Sequence, residues 1–237
     1  MLLIYIDKQT NRLGYTINLI FRDILGVEFS VTTNKDQFVA LECEKLSYSK
    51  NKVYDELHIT STNLLFETTI SSQEIDYYIK DDIPYLFKIY NKDEVLGFDI
   101  FAATFYLVSR YEEYLPFIQD IHSRFRANDS IAYQKGFLLR PVVNIWVNLL
   151  KEELKKKYPQ MVFKQRKFNF LNTIDVDMAY SYKAKGLYRN CGGFIRDLIN
   201  GNFEDCGKRI RVLLVSIFSF YVLQMILQRN AINITLP

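Results

Sequence analysis

The chain has little with which to cross-link itself or grip a metal. Its three cysteines, Cys43, Cys191 and Cys206, stand far apart with no paired spacing. That excludes a disulfide framework and a zinc knuckle and leaves reduced thiols as the expectation. Histidine is as sparse. His58 and His122 are the only two, and neither has further ligand types at a useful spacing, so each reads as a structural or surface residue. The net charge is +3 with the basic residues dispersed, which provides no basic stripe for a nucleic acid. Residues 1–7 carry no basic n-region and too short an apolar run for a secretion signal, so the expected location is the cytoplasm.

What is present is ordinary for a soluble globular chain. With 49% hydrophobic and 24% charged residues over 237 positions, it can hold one large or two small domains. The 17 tyrosines and 18 phenylalanines would suit stacking against sugars, but such content more often fills cores.

Residues 2–6 form a continuous apolar run that fits a buried strand. Leu13, Ile17, Ile20, Phe21 and Ile24 follow at helical spacing, with Thr10 or Asn11 as N-cap and Gly26 to end the helix. Val27, Phe29 and Val31 then alternate as a half-buried strand. The opening is β-α-β. From 34 to 93 the signals break into short pieces of strand length at 57–59, 64–66 and 85–90. Residues 98–114 read as one buried helix stopped before Pro116, with Arg110, Glu112 and Glu113 as its ion-paired end. Residues 120–133 read as an exposed loop that could border a cleft. Residues 141–157 are an amphipathic helix, with Pro141 in the first turn and Glu152–Lys156 and Glu153–Lys157 as i,i+4 pairs.

A largely apolar stretch from Lys167 to Asp177 ends in two carboxylates, Asp175 and Asp177. In an extended chain residues i and i+2 project to one face, so the two can converge. Converged anions repel unless one keeps a proton or a cation lies between them. Asp is also common in caps and turns, so the spacing alone leaves both readings open.

The segment from Thr173 to Tyr180 resembles the first motif of polysaccharide deacetylases, carbohydrate esterases of the NodB-homology type, in its T-[F/I]-D-x-D form. Residues 97–105 and 109–115 resemble the α/β domain that precedes the deacetylase barrel in one bacterial branch of that family. The resemblance implies an N-terminal α/β domain over 1–165, the first β-α unit of a (β/α) barrel over 166–211, and an apolar tail over 212–237. It implies metal-dependent hydrolysis of N-acetyl groups on a glycan, with a divalent metal, zinc foremost, Asp175 as general base and Asp177 as metal ligand. Val176 and Met178 depart from the commoner form with adjacent aspartates followed by Gly. The family's His-x-x-x-His segment does not follow the motif here. Three protein ligands are usual for catalytic zinc, so the expectation is no deacetylase activity from this chain alone.

Beyond Arg211 the composition changes, and residues 212–227 are almost wholly apolar after Lys208, Arg209 and Arg211. The shift reads as a truncated or frameshifted barrel, or as a membrane-associated tail over 212–228, borderline in length for a span. Gly192-Gly193 is expected before a short helix over 194–200. Two other functions remain open: a non-catalytic accessory module, and a glycosyltransferase-like D-x-D that holds a divalent ion against a sugar-nucleotide diphosphate.

Overall fold

The computed structural model describes residues 1–91, 94–165, 169–173, 175 and 187–214. The chain divides into two compact units, Met1–Lys167 and Phe168–Pro237. The first is an α/β unit built on a four-stranded parallel sheet of order β2-β1-β3-β4, with β1 Leu2–Ile6, β2 Phe29–Thr32, β3 Lys45–Ser49 and β4 Leu57–Thr60. All five residues of β1 are buried, as the unbroken apolar run requires of a central parallel strand.

The first crossover begins where the sequence places it. Thr10 Oγ1 accepts the Leu13 N–H and caps α1, Asn11–Ile17, which runs on without a break as a π-helical segment, Asn18–Leu25. Gly26 ends it in the left-handed conformation at φ +61°, and the N–H of Val27 folds back to the Phe21 carbonyl. A Cβ at position 26 would collide with the Lys164 side chain besides meeting the left-handed penalty. Gly26→Ala is therefore expected to cost at least about 1 kcal/mol in a urea titration; an unchanged midpoint would show that the 164 region yields freely.

The two faces of the sheet differ. Leu2, Ile4, Ile6, Leu46, Tyr48, Leu57 and Ile59 point into the main core, which also takes the buried faces of α1, α3 (Ile100–Val108) and α5 (Val142–Lys157). Phe101 of α3 packs on Tyr48 with ring centroids 4.7 Å apart, and Trp146 of α5 lies against Phe98 at 5.5 Å. The opposite face is a small cluster of Leu3, Tyr5 and Phe38, the last from α2, Lys35–Ala40.

Beside the sheet lies an antiparallel pair, β5 Tyr78–Lys80 and β6 Ile83–Tyr85, turned through Asp81 and Asp82, both at positive φ as two-residue hairpins favour. Several short segments depart from their local sequence signal. Leu64–Phe66 is a 3-10 turn rather than a strand, and the expected strand at 85–90 ends at Tyr85 because Phe87 adopts φ +56°. The expected helix over 98–114 is confined to Ile100–Val108. Asp99 caps it, Arg110 turns left-handed, and Tyr111–Tyr114 closes as a separate 3-10 turn. The exposed stretch 120–133 contains a 3-10 turn, Ala127–Asp129, and the start of a short helix α4, Ile131–Gln134.

On α5 the expected i,i+4 pairs are replaced. Lys155 meets Glu152 and Lys156 meets Glu153 at i,i+3, which frees Lys157 to reach Asp55 at 2.8 Å. In the second unit the described residues form a hairpin of α6, Leu187–Ile199, and α7, Phe203–Leu214, joined through Gly201 at φ +72° and Asn202. Gly192 and Gly193 lie inside α6, not before it. Among the described residues no helix is long and apolar enough to cross a membrane.

Candidate functional site

The buried polar groups of the first unit are bound up in holding it together. Asp99 is inaccessible and accepts four hydrogen bonds: Ala102 N–H on Oδ1 at 2.9 Å, and on Oδ2 the Tyr48 hydroxyl at 2.8 Å with the Thr62 N–H and hydroxyl at 2.7 Å each. One side chain thus joins β3, the loop after β4 and the start of α3. Burial pushes its carboxyl above the usual range, against the pull of those donors.

Ser47, Glu56 and His58 form a second buried group. The residue types match a serine–histidine–acid triad, but the wiring does not. Ser47 donates to Glu56 Oε1 at 2.6 Å and meets His58 Nδ1 at 2.8 Å, so the hydroxyl, not the imidazole, occupies the middle. Glu56 also accepts the N–H groups of Val53 and Tyr54. Burial works to raise its pKa, but the Ser47 hydroxyl and these N–H groups outweigh it and hold the carboxyl below its ordinary value. The arrangement pins the loop between β3 and β4. His122, by contrast, sits in an exposed turn where its N–H donates to Asp120 Oδ1.

Of the clefts on this unit, two are lined by several charged side chains. The larger, about 700 Å³, lies at the starting ends of β1 and β3. Three of its charged groups are engaged: Lys45 Nζ donates to the Val39 carbonyl, Glu44 binds the terminal amine, and Asp55 holds Lys157. The second, about 300 Å³, lies against the Tyr111–Tyr114 turn and is lined by Tyr106, Arg110, Glu112, Phe125, Ser130 and Leu138 among others. The turn is anchored by Tyr111, whose buried side chain both donates to the Ser71 carbonyl and accepts the Ser71 N–H. Glu112 Oε1 accepts the Ile131 N–H at 2.9 Å, and Arg110 pairs with Glu113. Burial pushes the Glu112 carboxyl up; burial, and then the nearby Glu112 carboxylate, push the Tyr106 hydroxyl up as well.

The family model of DUF7033, a family of unknown function, matches residues 2–159. The chain belongs to this family. No curated protein and no solved structure matches it. The DUF7033 match begins at the first residue of β1 and ends two residues beyond α5, so it takes in the sheet, both buried networks and the 300 Å³ cleft.

The paired aspartates fall outside the DUF7033 match. Asp175 is exposed, and Asp177 lies outside the described residues. Residues 169–173 belong to neither sheet, and Phe170 and Leu171 face solvent at 68% and 84% exposure. The strand expected there is absent from those residues, since a strand needs a neighbour to take its backbone N–H and C=O groups. Among the described residues no group of three His, Cys, Asp or Glu side chains could hold a metal ion. The described residues do not amount to a catalytic zinc site.

The sequence singled out Arg110, Glu112 and Glu113, but as a helix end. Their cleft partners Phe125 and Leu138 come from 13 and 26 positions beyond Glu112, and no local pattern connects them.

Proposed function

We propose that the first unit is the non-catalytic N-terminal module of a polysaccharide-deacetylase-like protein, and that residues 173–177 begin the part that carries its chemistry. The family chemistry would be metal-dependent hydrolysis of N-acetyl groups on a glycan, on a (β/α) barrel of which residues 166–211 are the opening. Asp175 would be its base and Asp177 a metal ligand. One observation supports a module without catalysis of its own. The most deeply buried acids of the first unit, Asp99 and Glu56, are occupied by four and three hydrogen-bond donors respectively. Acids so held stabilise structure and are not placed to exchange protons with a substrate.

On this reading the chain alone, incubated with zinc and an N-acetylglucosamine oligomer, releases no acetate above a protein-free blank. A zinc titration shows weak binding that falls by about tenfold or more in Asp175→Asn and Asp177→Asn. Acetate release that disappears in Asp175→Asn would make this chain a complete catalyst. Zinc binding indifferent to both substitutions would remove the motif from any metal site.

A further inference from the structure

We propose that the cleft against the Tyr111–Tyr114 turn binds one sugar ring of a glycan chain. Its volume, about 300 Å³, lies at the small end of the range for ligand sites and suits a single ring with open ends for its neighbours. Its lining has the two-sided chemistry of a pyranose, which presents an apolar C–H face and a rim of hydroxyls. Tyr106, Phe125 and Leu138 supply apolar and aromatic wall. Glu112 commits Oε1 to the Ile131 N–H and keeps Oε2 as an acceptor; the guanidinium of Arg110, bound to Glu113 through Nε, keeps its two terminal nitrogens as donors. The cleft thus offers both an acceptor and donors to the hydroxyls of a ring.

The same inventory rules against anions and metal ions. Glu112 and Glu113 outweigh Arg110 in charge, so an anionic ligand is repelled. Among the described residues no three ligating side chains converge here or elsewhere for a metal. With an apolar wall and a polar rim, the lining suits a neutral, hydroxyl-rich ligand with an apolar face.

The turn that carries these polar groups is also anchored without any ligand. Tyr111 is tied twice to Ser71, Glu112 is fixed by α4, and Arg110 is held at φ +54°, ψ +45°, a conformation that a non-glycine residue keeps only when its surroundings impose it. A site ordered in advance loses less entropy on binding. The polar groups that the sequence alone reads as a salt-bridged helix end thus acquire a common purpose.

The choice of an N-acetylated glycan rests on the function proposed above; the cleft's preference for a sugar ring does not. The test is isothermal titration of the whole chain with a β-1,4-linked N-acetylglucosamine tetramer and, separately, with a β-1,4-linked glucose tetramer. Binding is expected to weaken at least about tenfold in Glu112→Gln and in Phe125→Ala and to be unchanged in Glu152→Gln, on the exposed face of α5. Leu138→Arg, at the exposed rim, is expected to block the cleft and serves should Phe125→Ala fail to fold. Binding of neither tetramer, binding indifferent to Glu112→Gln and Leu138→Arg, or binding lost in Glu152→Gln would each overturn the proposal. Equal binding of both tetramers upholds the sugar site while counting against the N-acetyl-glycan reading of the protein as a whole.

Discussion

Trp146→Ala is expected to destabilise the first unit by about 3–5 kcal/mol, the range for emptying a large aromatic from a packed core. Trp146 is inaccessible, lies in the second turn of α5 and packs on Phe98, while its Nε1–H donates to the Pro84 carbonyl at 2.8 Å. It therefore couples α5 to β6 and to the residue before the Asp99 cap. The loss compares with a total stability of about 5–15 kcal/mol for an ordinary domain, so the variant stands near the edge of folding. Trp146→Phe keeps most of the volume but strands a buried carbonyl, at a cost of about 1–3 kcal/mol. Because this is the chain's single tryptophan, both variants should be followed by circular dichroism in urea rather than by intrinsic fluorescence. A loss below about 1 kcal/mol for the alanine variant would mean that α5 does not depend on this contact.

The second large effect is at Asp99. In Asp99→Asn one acceptor oxygen becomes an NH2 group. If the amide oxygen keeps the three donors on the Oδ2 side, the nitrogen faces the Ala102 N–H and the cap of α3 is lost. Loss of a cap and of a charge-assisted bond together cost about 3 kcal/mol. The pH dependence of this loss has a definite sign. Burial raises the folded-state pKa of Asp99 above 3.8, so its protonation favours the folded state. That contribution is complete below the unfolded pKa and disappears as pH rises through the folded value. The gap between wild type and Asp99→Asn should therefore narrow as pH climbs from about 4. Glu56, held below its ordinary pKa, works in the opposite direction but is common to both proteins and cancels in the difference. Chemical denaturation of the pair at a series of pH values checks the sign, and a gap that widens on raising the pH would contradict it.

The elements that could be read from the sequence were those with complete local grammar. The run 2–6, the cap at Thr10 and the stop at Gly26 together define β1 and α1, and the apolar stripe from Val142 to Leu154 defines α5. β3 has no such grammar. Lys45, Ser47 and Ser49 alternate with Leu46 and Tyr48, yet all five are buried, because Val39, Glu56 and Asn51 supply partners for the polar three. Without those partners in view, the strand looks like loop. Short apolar triplets were ambiguous for a related reason, since Leu64–Phe66 buries its leucines in a 3-10 turn as well as a strand would. The D-x-D pattern could be read as a motif, although the structure describes only Asp175 of the pair. The Glu112 cleft was half visible: its charges were conspicuous, but Phe125 and Leu138 join them only through the fold of 115–140.

The strand order has a consequence for how the unit is made. β1, at residues 2–6, lies between β2 and β3, so Leu2 waits for Phe29 and Leu3 for Lys45 before the ladder closes on both sides. At ribosomal rates of about 5–20 residues per second, the second partner follows roughly 2–8 seconds after the first strand has been synthesised. For that interval five consecutive residues destined for burial lack a permanent neighbour on at least one edge. The nascent chain is then most open to aggregation and most in need of a chaperone, and it stays so until β3 has cleared the exit tunnel.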